Sequence, residues 1–121
     1  MTILAPVIAE KFDLAYKGTS NLDEAIRHLQ AGGAIVGHMG VPEGAEIGLF
    51  TKWGHYIFIL STDGEDFCIL DPSYTPEKFT IPERAGRVNT DRAPYLYCNV
   101  HTLDGETKPN KIKYHLFARK R

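Results

Sequence analysis

The stretch GHYIFILSTDGEDFCILDP, Gly54 to Pro72, decides how this chain is read. Two runs rich in Ile, Phe and Tyr, His55–Leu60 and Phe67–Leu70, flank the polar segment Ser61–Asp66. Apolar β-formers on either side of an Asp-Gly turn signal predict an antiparallel hairpin. With the turn centred on Asp63, His55 faces Asp71, Ile57 faces Ile69 and Ile59 faces Phe67. Directly opposed residues share a face, so the hairpin presents an apolar ladder ending in one imidazole and one carboxylate. A slip of one residue would put Asp71 beside Tyr56 instead.

Upstream the pattern is helical. Residues 1–12, with Leu4, Val7, Ile8 and Phe12 apolar, predict a short helix carrying Pro6 in its first turns. Asp13–Tyr16 reads as a brief strand. Thr19, Ser20 and Asn21 are N-cap candidates for a second helix, Leu22–Gln30, with Ser20 and Asp23 as a capping-box variant and Gly32-Gly33 as its stop. Ala34–Met39 reads as a buried strand, and Gly40–Gly48 as a loop. Downstream, the proline-bearing stretch Pro72–Pro94 predicts an irregular connection. A second hairpin is expected to pair Tyr95–His101 with Ile112–Ala118 around Leu103-Asp104-Gly105 and Lys108-Pro109-Asn110. Helices first and antiparallel strands afterwards is an α+β order.

A length of 121 residues fits one domain, 1–121, and an ordinary domain of this size buries roughly two-thirds of its unfolded surface. Apolar residues make up 43% and charged residues 24%, with a net charge of −1, the composition of a soluble globular protein. The balance argues against a nucleic-acid partner, and the basic end Arg119-Lys120-Arg121 reads as a solvated terminus. The longest apolar run, Tyr56–Leu60, is too short for a membrane span, and the N-terminus makes a poor signal peptide. A reduced, cytoplasmic setting is the default expectation, although a piece of an exported protein would read alike. Cys68 and Cys98 form neither a disulfide framework nor a metal-ligand spacing.

An imidazole held by a carboxylate is the base-and-orienter pair of nucleophilic catalysis. The carboxylate fixes which ring nitrogen carries the proton and stabilises imidazolium once a nucleophile has been deprotonated. Pro72 stiffens the exit from the acid, Gly54 leaves room for a substrate backbone, and Trp53 and Phe50 are candidate cleft walls. The competing reading is an ordinary surface pair at two strand ends, followed by a common Asp-Pro turn.

The run Phe50–Leu60 with its Gly54-His55 pair, the short polar turn, and Cys68-Ile69-Leu70-Asp71-Pro72 together resemble the bacteriocin-processing (double-glycine) branch of the papain-like cysteine peptidases. The preceding Leu22–Gln30 and Gly32–Gly40 segments and the closing Tyr114–Phe117 are also similar to that family. The likeness extends over about residues 5 to 118, its diagnostic elements being Gly-His and Asp-Pro at this spacing. It implies that His55 is the general base and Asp71 its orienting acid. It also implies a fold that is the C-terminal half, antiparallel sheet plus N-terminal helices, of a papain-like peptidase.

The family's nucleophilic Cys and oxyanion-hole Gln lie on a helix upstream of the position equivalent to Met1, and no residue here matches them. Cys68 alternates onto the strand face opposite Asp71, and Cys98 falls mid-strand, so both read as small buried hydrophobes. Acyl transfer then lacks its attacking atom, and the oxyanion lacks a donor worth roughly 3–4 kcal/mol. Three expectations follow: a fragment, a degenerate module that binds peptides without cutting them, or a half completed by another chain. The partners expected are a peptide or protein, a missing N-terminal half, or a second copy covering an apolar cleft wall that includes Trp53 and Phe50.

No cofactor and no metal are expected. The five histidines show no HxH or HExxH spacing, although His101 and His115 could neighbour each other in the second hairpin. The glycines at 32, 33, 37 and 40 lack the Gly-Lys-Ser/Thr ending of a phosphate loop. The alternative to an enzyme is a binding module that takes an extended peptide at a sheet edge.

Overall fold

The computed structural model describes residues 4–109 and 111–120. It is an α+β fold built on one six-stranded, wholly antiparallel sheet. In chain order the elements are α1 (Leu4–Lys11), β1 (Leu14–Thr19), α2 (Leu22–Gln30), β2 (Ala34–Met39), β3 (His55–Thr62), β4 (Asp66–Leu70), β5 (Leu96–Asn99), α3 (Val100–Gly105) and β6 (Tyr114–Arg119). Their order across the sheet is β1-β6-β2-β3-β4-β5.

Local chemistry explains the early elements. Asn21, not Ser20, caps α2: its Oδ1 accepts from the Glu24 N–H at 2.8 Å. Ser20 Oγ instead donates to the Lys111 carbonyl. Gly32, at φ +94°, ends the helix in the left-handed region that a Cβ would disfavour. α2 lays Ala25 and Leu29 against the sheet face made by Ile35, Ile59, Ile69 and Leu96, residues that line up strand by strand. Phe79 and Val88 from the irregular segment join the same core.

The second expected hairpin does not form. Asn99 Oδ1 accepts from the His101 and Thr102 N–H groups, which caps α3 and ends β5 after four residues. β5 pairs with β4, while β6 crosses to insert between β1 and β2. His101 and His115 therefore lie on separate elements, α3 and β6. Asn110, expected in the turn, lies outside the described residues, as do residues 1–3 of the first helix.

The first hairpin forms with a different register. Ile59 pairs with Ile69, two residues beyond the expected Phe67, and a bulge between Ile59 and Ser61 brings Thr62 opposite Phe67. The turn sets this. Asp63 Oδ1 accepts from the Glu65 and Asp66 N–H groups, and Gly64 takes φ +96°, so the reversal is centred beyond Asp63. A slip of two preserves the side-chain face, whereas a slip of one would have inverted it.

The opposite sheet face is less covered. Tyr56, Phe58 and Leu60 of β3 point there and are exposed. Leu4, Val7 and Phe12, in and after α1, are also exposed. Ile8, Leu14, Val36, Phe58, Leu60 and Phe117 line an apolar recess of about 400 Å³ on this side.

Candidate functional site

Two well-anchored segments deliver the site. The loop ahead of β3 is tied down by buried polar groups: Glu106 Oε1 accepts from the Leu49 N–H at 2.5 Å, and Arg84 Nε donates to the Gly48 carbonyl at 3.0 Å. Arg87 completes the Glu106 carboxylate with a 3.2 Å ion pair. Thr51 Oγ1 then accepts from the Trp53 and Gly54 N–H groups, turning the chain into β3. On the other side, β4 ends at Leu70 and Asp71 opens a turn in which its own Oδ1 accepts from the Ser73 N–H at 2.9 Å. Phe79 packs edge-on against Phe50 and stacks with Tyr74, which seats the neighbouring Lys78.

His55 Nε2 lies 2.6 Å from Asp71 Oδ1. The pair expected from the hairpin is present, reached diagonally across the strands and not from directly opposed positions, because the register moved by two. The Asp71 side chain is 0% exposed and that of His55 is 21% exposed, so an enclosed carboxylate holds a ring with one edge toward solvent. Among the described residues only Nε2 is engaged. With Nε2–H donating to an ionised carboxylate, the lone pair of the neutral ring sits on Nδ1, the nitrogen a base would use.

Two partners were not foreseen from sequence. Lys78 Nζ donates to Asp71 Oδ2 at 2.5 Å and to Ser73 Oγ at 2.8 Å. Ser73 Oγ donates to Asp71 Oδ1 at 3.0 Å and approaches His55 Nε2 at 3.2 Å. Burial alone would raise the Asp71 pKa, but hydrogen bonds from Lys78, His55 and Ser73 outweigh it and hold the carboxyl below its ordinary value. Burial pulls the Lys78 ammonium below its ordinary value, with Asp71 opposing. The only available signal was the short spacing Asp71-Pro72-Ser73…Lys78, which becomes meaningful once the turn folds back.

Ser73 is not the nucleophile of a serine triad. Such a triad places hydroxyl and carboxylate on different ring nitrogens. Here both meet Nε2, and the Ser73 proton points to Asp71 while its oxygen accepts from an ammonium.

The remaining expectations divide. Trp53 is 83% exposed beside the site and available to a ligand. Phe50 is 1% exposed and belongs to the core, where Phe79 covers its ring; it supports the loop from beneath and does not wall a cleft. A Cβ on Gly54 would come 3.1 Å from Lys108 Nζ, so the space at Gly54 borders a movable ammonium. Cys98 is buried, and burial pushes its thiol up to about 12. Cys68 is buried on the face away from Ile69 and Phe67. Neither is an accessible thiol.

Among the described residues no group of three His, Cys, Asp or Glu could hold a metal ion. His28 binds the Phe117 carbonyl at 2.9 Å, His115 pairs with the Tyr16 hydroxyl at 2.7 Å, and His38 stacks on Tyr56. No described helix is long and apolar enough to cross a membrane. Comparison with family models, curated proteins and solved structures gives no match for this chain.

Proposed function

We propose that this domain is related to papain-like cysteine peptidases, in the half of the fold that carries the base and its orienting acid. The observation that carries the reading is the 2.6 Å contact of His55 Nε2 with the enclosed Asp71 carboxylate, which leaves Nδ1 as the free base. In that role Nδ1 takes the proton of an incoming thiol, and Asp71 stabilises the imidazolium that results. Gly54 ahead of His55 and the Asp71-Pro72 exit support the same reading. The two thiols of the sequence are buried, so the 121 residues alone are expected not to cleave peptides.

The test is the coding sequence 5′ of the Met1 codon together with inhibitor labelling. An in-frame helix bearing Gln and Cys, and epoxide labelling of that Cys lost on His55→Ala, would support the peptidase reading. Epoxide labelling of Cys68 or Cys98 in the 121-residue chain, abolished by His55→Ala, would overturn the assignment of inactivity.

The second reading is a non-catalytic module that binds an extended peptide or protein. Exposed Trp53 and the exposed Tyr56, Phe58 and Leu60 face favour it. Strand addition would use β1, because the β5 edge is already bridged by Asn89, which exchanges two backbone hydrogen bonds with Tyr97. An in-frame stop codon directly before Met1 would shift support to this module.

A further inference from the structure

We infer that Lys78 is a positioning residue of the His55–Asp71 site: it clamps Asp71 Oδ2 so that Oδ1 alone meets the imidazole. The inference rests on the proposed role of that pair and adds a third member to it.

Rotation of an Asp carboxyl about its last bond is soft and roughly two-fold, so one contact with a histidine does not fix its plane. Here the two oxygens have separate partners. Oδ1 receives His55 Nε2, the Ser73 N–H and the Ser73 hydroxyl, whereas Oδ2 receives Lys78. A half-turn only exchanges two equivalent oxygens, but any smaller rotation of the carboxyl plane would break these contacts together.

Lys78 also orders Ser73. By donating to Ser73 Oγ it occupies that oxygen's lone pair and turns the hydroxyl proton toward Asp71. Ammonium, hydroxyl and carboxylate thus form a closed ring of charge-assisted bonds. The Lys78 side chain is 9% exposed and the carboxylate 0%, so water competes little for either.

The electrostatic consequence is specific. When His55 takes up a proton, one buried anion lies between two cations. Lys78 holds that anion ionised, so Asp71 remains an acceptor for the His55 Nε2–H. A lysine that only filled space or stabilised a turn would not have this effect.

The test is nuclear magnetic resonance on the intact chain. In unmutated protein the Lys78 ammonium should give a protected 1H–15N signal at low temperature, with a through-hydrogen-bond coupling to the Asp71 carboxyl carbon. In Lys78→Met the Asp71 carboxyl titration should move up by about one pH unit or more. The His55 ring should also show a weakened preference for the Nε2–H tautomer. Ser73→Ala, which leaves Lys78 on Oδ2, should keep the Asp71 midpoint within about half a unit of the unmutated value. An unchanged Asp71 midpoint and an unchanged His55 tautomer in folded Lys78→Met would overturn the inference. Should Lys78→Met fail to fold, a rapidly exchanging, uncoupled Lys78 ammonium in the unmutated protein overturns it equally. These readouts do not involve a thiol or the upstream gene sequence, so failure here is distinct from failure of the peptidase reading.

Discussion

Asp71→Ala strands the Lys78 ammonium. In the native site that ammonium is 9% exposed and held 2.5 Å from a carboxylate that is fully enclosed. Removing one member of a buried pair leaves the other desolvated without compensation, at a cost of about 3–5 kcal/mol. That is a large share of the roughly 5–15 kcal/mol that holds a domain folded. With a urea m-value of about 1.5 kcal/mol/M, the midpoint should fall by roughly 2–3 M. Lys78→Met removes the cation instead and leaves the carboxylate with His55 and Ser73 as donors, so its cost should be smaller, about 1–3 kcal/mol. Combining Asp71→Ala with Lys78→Met removes both charges, and the double variant should be more stable than the sum of the singles by at least about 1 kcal/mol.

Acid supplies the control. The Asp71 pKa is lowered in the fold, so its stabilisation is present above the unfolded value of about 3.9 and is lost as pH falls through the folded value. The gap between unmutated protein and Asp71→Asn should therefore close in strong acid. Equilibrium urea curves from pH 7 to pH 2 read every quantity. Additive single effects, or a gap that does not narrow between about pH 4 and pH 2, would refute the reasoning.

Other expectations can be checked on the same material. Ile59→Ala should cost about 2–5 kcal/mol and Phe58→Ala less than about 1 kcal/mol, because Ile59 is 0% exposed and its neighbour 46% exposed; thermal melts of the two decide whether the observed face assignment holds. Glu106→Ala should release the loop ahead of β3 by removing the acceptor of the Leu49 N–H and the partner of Arg87, seen as faster amide exchange over residues 48–54 and a loss of about 2–4 kcal/mol. Burial, with smaller contributions from Lys108 and His115, lowers the His38 pKa from 6.5 to about 4. The unfolded chain then binds the proton first, so this contribution is complete above pH 6.5 and lost as pH falls toward about 4; His38→Gln should flatten that part of the stability–pH curve.

Legibility in the sequence followed the range of the interactions. The limits of α2 and β2 come from periodicity, a polar N-cap and a left-handed glycine, all within a few residues, and they were readable. The His55–Asp71 pairing was readable for a different reason: beside the turn the register differs from the expected one by three residues, but the bulge between Ile59 and Ser61 brings the difference to two, and strand parity then keeps the face. The destination of β6 was not readable, since inserting it between β1 and β2 depends on contacts across the whole chain. The capping of α3 by Asn99 had a local signal, Asn followed by Val-His-Thr, which the expected Leu103-Asp104-Gly105 turn obscured. Phe50 looked like a cleft residue because it precedes Gly54, yet Phe79 from the irregular segment covers it. Lys78 reaches Asp71 only because that same segment folds back over the site.

The central claim is that Asp71 holds His55 as a base whose free nitrogen is Nδ1. Long-range 1H–15N correlation of the His55 ring, assigned by its disappearance in His55→Gln, measures this directly. The account predicts a protonated Nε2 and an unprotonated Nδ1 in the neutral ring, with that preference weakened in Asp71→Ala. A ring that carries its proton on Nδ1, in both the unmutated protein and Asp71→Ala, would contradict it.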